Sequence, residues 1–148
     1  MKIFLGADHN GFGMKSELGL ILGKAGHEVI DIGDKQLQPD DDFPQFAEAA
    51  VRALLTSGED NAKAILICGS GQGMCMAANR FKGIRASLCW DVDEARAARN
   101  DDDSNVLCLP SRFIDTLEAV QITEVWLATS FAGAPRFKRR IRQLDQLG

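Results

Sequence analysis

Residues 62–73, AKAILICGSGQG, run from an unbroken aliphatic stretch straight into three glycines spaced two apart. A short apolar run bounded by glycines predicts a buried strand, here 62–68, because a strand covered on both faces has no polar side to show. The following 71–80 has helical spacing, so the glycines must turn the chain sharply from strand to helix. Similar aliphatic runs recur at 2–7 (KIFLGA), 28–32 (EVIDI), 83–89 (GIRASLC) and 105–109 (NVLCL). Between and after them, 11–25, 44–57, 92–100, 111–129 and 135–147 carry helical periodicity, with Pro135 opening the last. Strand and helix alternate, which predicts a doubly wound α/β protein: a three-layer α/β/α sandwich around a five-stranded parallel, Rossmann-like sheet. No repeat or linker divides it, so 1–148 reads as a single domain, with 33–43 a long polar loop of the kind that often carries function.

In such sheets ligands bind beyond the carboxyl ends of the strands, where strand order reverses. The residues there are Asp8, His9, Asn10 and Gly11 after the first strand, and Cys68 to Gly73 after the third. Trp90 and Asp91 follow the fourth strand, and Pro110, Ser111 and Arg112 the fifth. The glycine loop can aim backbone amides at an oxyanion or phosphate. It is no dinucleotide fingerprint, since Met74 stands where the third glycine belongs, and no P-loop, since no Gly-Lys-Ser/Thr follows. Cys68 reads either as an inert buried cysteine or as a thiol activated by the loop amides. Asp8 and His9 read either as a helix cap or as ligand contacts, His27 in its Gly-His-Glu turn as solvent-exposed, and Cys75, Cys89 and Cys108 as inert.

The formal charge of −4 argues against a nucleic-acid binder. Acid gathers at Asp40, Asp41 and Asp42 and at Asp101, Asp102 and Asp103, whereas Arg136, Lys138, Arg139, Arg140 and Arg142 crowd the C-terminus. That basic cluster reads as a solvated helix face or as a site for a small phosphate ligand. Four cysteines without a CxxC pair suit reduced thiols in a cytoplasm better than disulfides or a metal site. No apolar run approaches the ~18 residues of a membrane span, and the N-terminus lacks a signal peptide's pattern.

Taken together, Asp8-His9-x-Gly11, Asp42-x-Pro44, Ile67-Cys68-Gly-Ser-Gly-Gln-Gly73, Ala77-Ala78-Asn79-Arg80, Gly83-Ile-Arg-Ala, Ser104-Asn105-Val-Leu, Ser111-Arg112 and Arg136-x-x-x-Arg140 resemble the type B ribose-5-phosphate isomerases and their galactose-6-phosphate relatives, in one collinear order over nearly the whole chain. The resemblance implies a cofactor-free and metal-free aldose–ketose isomerase, taking ribose 5-phosphate to ribulose 5-phosphate through a cis-enediolate. It implies Cys68 as the proton-transfer base, since the glutamate of the family's other branch falls on Met74, with Ser70 beside it. Gly69, Gly71 and Gly73 would form the oxyanion hole, Asp8 and His9 would meet the substrate, and His9, Arg112, Arg136 and Arg140 would hold its phosphate. It further implies a homodimer with active sites between subunits, or a tetramer of such dimers.

Two positions depart from the family. Asp101 stands in place of the histidine that opens the sugar ring, and Phe43 in place of a tyrosine. An ordinary aspartate is ionised at pH 7 and starts as a base only, unless Asp102 and Asp103 beside it hold its proton. The departures leave open an isomerase for a different phosphosugar, a hexose phosphate or a tetrose 4-phosphate that cannot close a furanose. They equally leave open a phosphosugar-binding module without catalysis.

Overall fold

The computed structural model describes residues 1–148. Five strands, β1 (Lys2–Ala7), β2 (Glu28–Asp31), β3 (Lys63–Cys68), β4 (Ala86–Leu88) and β5 (Val106–Pro110), form one parallel sheet in the order β2-β1-β3-β5-β4. Six helices accompany them: α1 (Phe12–Lys24), α2 (Phe43–Thr56), α3 (Gln72–Ala78), α4 (Val92–Asp102), α5 (Thr116–Ala128) and α6 (Pro135–Asp145). The doubly wound α/β sandwich expected from the alternation is the fold observed, and no helix is long and apolar enough to cross a membrane.

The two-residue period of a strand decides which helices each side chain meets. Ile3, Leu5, Ala7, Ile65, Ile67, Leu107 and Leu109 point to one face, where α1, α4 and α5 cover them with Leu18, Ala95, Ile122 and Trp126. Phe4, Ala64, Leu66, Cys68, Val106 and Cys108 point to the other, under Phe46, Ala50 and Val51 of α2 and Met74 and Ala78 of α3. The chain winds from β1 outward to β2 and then returns to β3 on β1's other side. The order therefore reverses between β1 and β3, whose carboxyl ends lie together: Ala7 pairs with Ile67, and the Asp8 amide donates to the Ile67 carbonyl at 3.3 Å.

Three of the differences in element ends from the sequence reading bear on the site. β4 spans only Ala86–Leu88, a short edge strand of the kind that resists pairing with other chains. α5 starts at Thr116, not 111, because the amides of Ser111 and Arg112 turn back to the carbonyls of Cys68 and Gly69 and only Asp115 and Glu118 close a capping box. α4 runs on to Asp102, and Asp103 ends it in the left-handed region at φ 47°. Arg99, 9% exposed, ties that end down: it pairs with Asp103 and donates to the carbonyls of Ser104 and Thr129, while the Trp126 indole donates to the Ser104 hydroxyl at 2.7 Å.

Candidate active site

The carboxyl ends of β1, β3 and β5 deliver three turns to one place. Cys68, 5% exposed, ends β3. The amides of Gly69, Ser70, Gly71 and Gly73 that follow it donate to no oxygen of the chain, and only Gln72 reaches one, the Ser70 hydroxyl at 3.4 Å. Unpaired amides turned from a tight loop beside a thiol form a set of donors ready for an oxyanion.

Each glycine of this loop makes room for something. A side chain at Gly69 would meet the Arg112 guanidinium, 2.8 Å from its Nε, so the arginine lies flat against the loop. One at Gly73 would meet the Phe43 ring at 2.7 Å, which places Phe43 at the mouth of the site. Gly71 has φ 72° and its missing Cβ points at Leu88 and at the Leu109 carbonyl carbon. Gly71→Ala combines left-handed backbone strain with overpacking, and is expected to cost about 3 kcal/mol. A urea-unfolding midpoint measures it, and a loss below 1 kcal/mol would show that the loop relaxes freely.

From β1 comes Asp8, 6% exposed, with one carboxylate oxygen accepting from the amides of Asn10 and Gly11. Gly11 is pressed on the Ile67 carbonyl so closely that a Cβ would sit 2.5 Å from its oxygen. His9 is held by Asp41 of the long loop: one oxygen of Asp41 accepts from the His9 amide at 2.9 Å and from ring Nδ1 at 2.8 Å. That bond raises the imidazole above its ordinary pKa, and the charge of Asp8 adds to it. Asp8, His9 and Asp41 bring ligand-type atoms within 4.8 Å of one another, but an oxygen of each carboxylate is already committed to N–H groups. The Ser111 hydroxyl bridges the turns by donating to the carbonyls of Asn10 and Cys68.

Within one chain, therefore, Asp8, His9, Cys68, Gly69, Ser70, Gly71, Gly73 and Arg112 gather at one edge of the sheet. Asp101, Arg136 and Arg140 do not join them. The 11 residues of α4 carry the chain about 16 Å back from Asp91 to Asp102, to the edge where β3 and β4 begin. There Arg85 donates to the carbonyls of Asp102 and Asp103. The Ala132 amide donates to the Asn100 carbonyl, so α6 starts beside that end of α4. Arg136 and Arg140 are exposed, and Arg136 lies over the Phe137 ring at 4.5 Å. Neither they nor Arg112 forms an ion pair with any carboxylate of the chain. Asp101 is half-buried and accepts from the Asn100 amide group at 2.8 Å. Beside it, burial and the charge of Asp101 raise the Asp102 carboxyl, whereas Asp103 is neutralised by Arg85 and Arg99.

Two readings of single residues need correction. His27 is half-buried and its Nδ1 lacks a partner, where exposure was expected of a Gly-His-Glu turn. Cys75, expected inert, is also half-buried; the Cys108 thiol beside it and the Asn79 amide pull it down to about 7. Burial pushes Cys89 up to about 12, and Cys108 lies well above the usual thiol range, mainly through Cys75. Asp41 was read only as a member of an acidic run, since its tie to His9 spans 32 residues and nothing local marks it.

The chain is similar to known proteins in sequence and in structure. The family model described as Ribose/Galactose Isomerase matches residues 3–144. A probable ribose-5-phosphate isomerase B of Mycoplasma pneumoniae is 41% identical over 137 residues, 93% of this chain and 89% of that protein. Among solved structures, the ribose 5-phosphate isomerase of Thermotoga maritima is 40% identical with a TM-score of 0.93, covering 99% of this chain and 98% of that one. The ribose-5-phosphate isomerase B of Mycoplasma genitalium, solved with bound ribulose-5-phosphate, is 36% identical with a TM-score of 0.92, covering 98% and 94%.

Proposed function

The chain belongs to the ribose/galactose isomerase family, and from that premise we propose that it interconverts ribose 5-phosphate and ribulose 5-phosphate through a cis-enediolate, with Cys68 moving the proton between C1 and C2. The observation that carries the reading is the row of unpaired amides at Gly69, Ser70, Gly71 and Gly73 beside a thiol at the β1/β3 switch point. A proton alpha to a carbonyl is acidic enough to remove only while the charge growing on oxygen is met by fixed donors, each worth about 3 kcal/mol. The loop supplies such donors without reorganising. Cys68, as thiolate, takes the proton from one carbon and returns it to the other while the hydroxyl proton passes between O1 and O2; Ser70 stands beside the reacting oxygens, and Asp8 meets a sugar hydroxyl. Arg112 and His9 bind phosphate from this chain. Incubation with ribose 5-phosphate should yield ribulose 5-phosphate, and absence of ketose at any pH between 6 and 8 would overturn the reading.

Asp101, Arg136 and Arg140 enter through a second copy. They sit at the opposite sheet edge, on α4 and α6, and the two arginines are uncommitted cations four residues apart on one helix. In a homodimer that brings this edge against its partner's glycine loop, each site gains two guanidiniums for one dianion.

Ring opening is where this chain should be slow. The task needs a group that both donates and accepts, and a carboxylate of ordinary pKa donates poorly at pH 7. Asp101→His is expected to raise kcat for ribose 5-phosphate several-fold and to leave a tetrose 4-phosphate, which has no furanose to open, unchanged. Equal losses on both sugars would mark Asp101 as an adapted residue of the site.

A further inference from the structure

We propose that Asp41 is a positioning residue for His9, holding the ring so that Nε2 carries its proton outward to the substrate's phosphate. The proposal rests on the reading of His9 as a phosphate contact, and it adds a residue from the long loop to that site.

The geometry is specific. Asp41 has a side chain 7% exposed, and one of its oxygens takes both the His9 amide and ring Nδ1. An ionised carboxylate only accepts, so Nδ1 carries a proton, and the shared oxygen ties the ring to the backbone amide of the same residue. Nε2 is then the one ring atom free to face a ligand, and a third of the side chain is open to solvent. The Asp41 amide is bound in turn by the Gln38 carbonyl at 3.2 Å, so the loop presents the carboxylate from a closed turn.

The charges explain what this arrangement does. The groups acting on His9 are Asp8, on the turn after β1, and Asp41, on the loop before α2. Both are negative, and a phosphate dianion approaching a neutral imidazole here would meet two carboxylates and no cation from this turn. With an ordinary pKa near 6.5 only about a quarter of the imidazole would be charged at pH 7. A phosphate monoester becomes a dianion above about pH 6. Because Asp41 raises the imidazole, the range in which cation and dianion coexist extends upward.

The chain has two histidines, so nuclear magnetic resonance can follow His9 with His27 as the internal control. Asp41→Asn keeps an acceptor oxygen and removes the charge. In that variant the His9 titration midpoint should fall while His27 stays put. KM for ribose 5-phosphate should rise several-fold at pH 7.5 and less at pH 6, with the change carried by KM more than by kcat. A purely structural Asp41 would instead lower thermal stability and kcat alike at every pH. In the unmutated protein, inorganic phosphate should shift the His9 resonances and raise its midpoint, a readout that needs neither the variant nor turnover. An unmoved His9 midpoint in Asp41→Asn, or His9 resonances indifferent to phosphate, overturns the proposal. Should phosphate move His9 while ribose 5-phosphate is not turned over, the substrate reading falls and the role of Asp41 stands.

Discussion

Cys68→Ala is expected to lower kcat about a thousandfold in both directions of the isomerisation, with KM nearly unchanged. The magnitude is that of a positioned general base, which contributes roughly 10²–10⁴-fold. The split follows from when the thiol acts: phosphate and hydroxyl contacts exist before reaction, whereas the thiolate engages a carbon-bound proton only as that bond breaks. Cys68 is 5% exposed at the end of a central strand, and alanine removes one sulfur without disturbing the ladder that pairs it with Pro110. Folding should survive, so the loss reads chemistry. Solvent-deuterium incorporation at C2 of the sugar checks the assignment independently, because exchange must disappear with turnover. Near-normal kcat in the variant would remove Cys68 from the reaction and pass the base role to another group.

Mixing two dead variants should restore activity. Arg136→Ala/Arg140→Ala is expected to lower kcat/KM for ribose 5-phosphate at least a hundredfold, since two charge-assisted grips on a dianion are lost. Cys68→Ala is crippled by a different lesion. If each site combines the β1/β3 edge of one subunit with the α4/α6 edge of the other, a heterodimer of the two variants has one site with both lesions and one with neither. Random reassortment of equal amounts then returns about a quarter of wild-type activity. Sites built from one chain alone would give no recovery at any mixing ratio. The test is a mixing and reassociation experiment with activity and light scattering read together, and recovery without a dimer would equally overturn the composite site.

Much of this arrangement was legible in residue order. The aliphatic runs that end at Ala7, Cys68 and Leu109 named the edge where ligands bind, and the glycines after Cys68 named the loop, because burial pattern and backbone freedom are local properties. Helix ends were less legible where tertiary bonds intervene. Ser111 and Arg112 look helical in isolation, yet their amides are claimed by carbonyls of the glycine loop, more than forty residues away. Nothing in the string of letters marks Asp41 beside Asp40 and the motif residue Asp42, and only the path of the loop selects it to face His9. Cys75 had no local mark either; its depression depends on Cys108, a neighbour supplied to α3 by β5.

The sequence by itself therefore determined the order of strands and helices, the family pattern, and which kinds of group meet at the carboxyl edge, since each of these depends on spacings of a few residues. The tertiary structure alone decided who is a neighbour across the sheet. It put Arg112 flat on Gly69, Phe43 on Gly73 and Asp41 under His9. It also sent Asp101, Arg136 and Arg140 to the far edge, because α4 must carry the chain back along the sheet before β5 can run parallel to β3. A helix has a fixed rise per residue, so its length sets where its last turn falls. That distance is why the site proposed here needs a second copy of the chain to supply Asp101, Arg136 and Arg140.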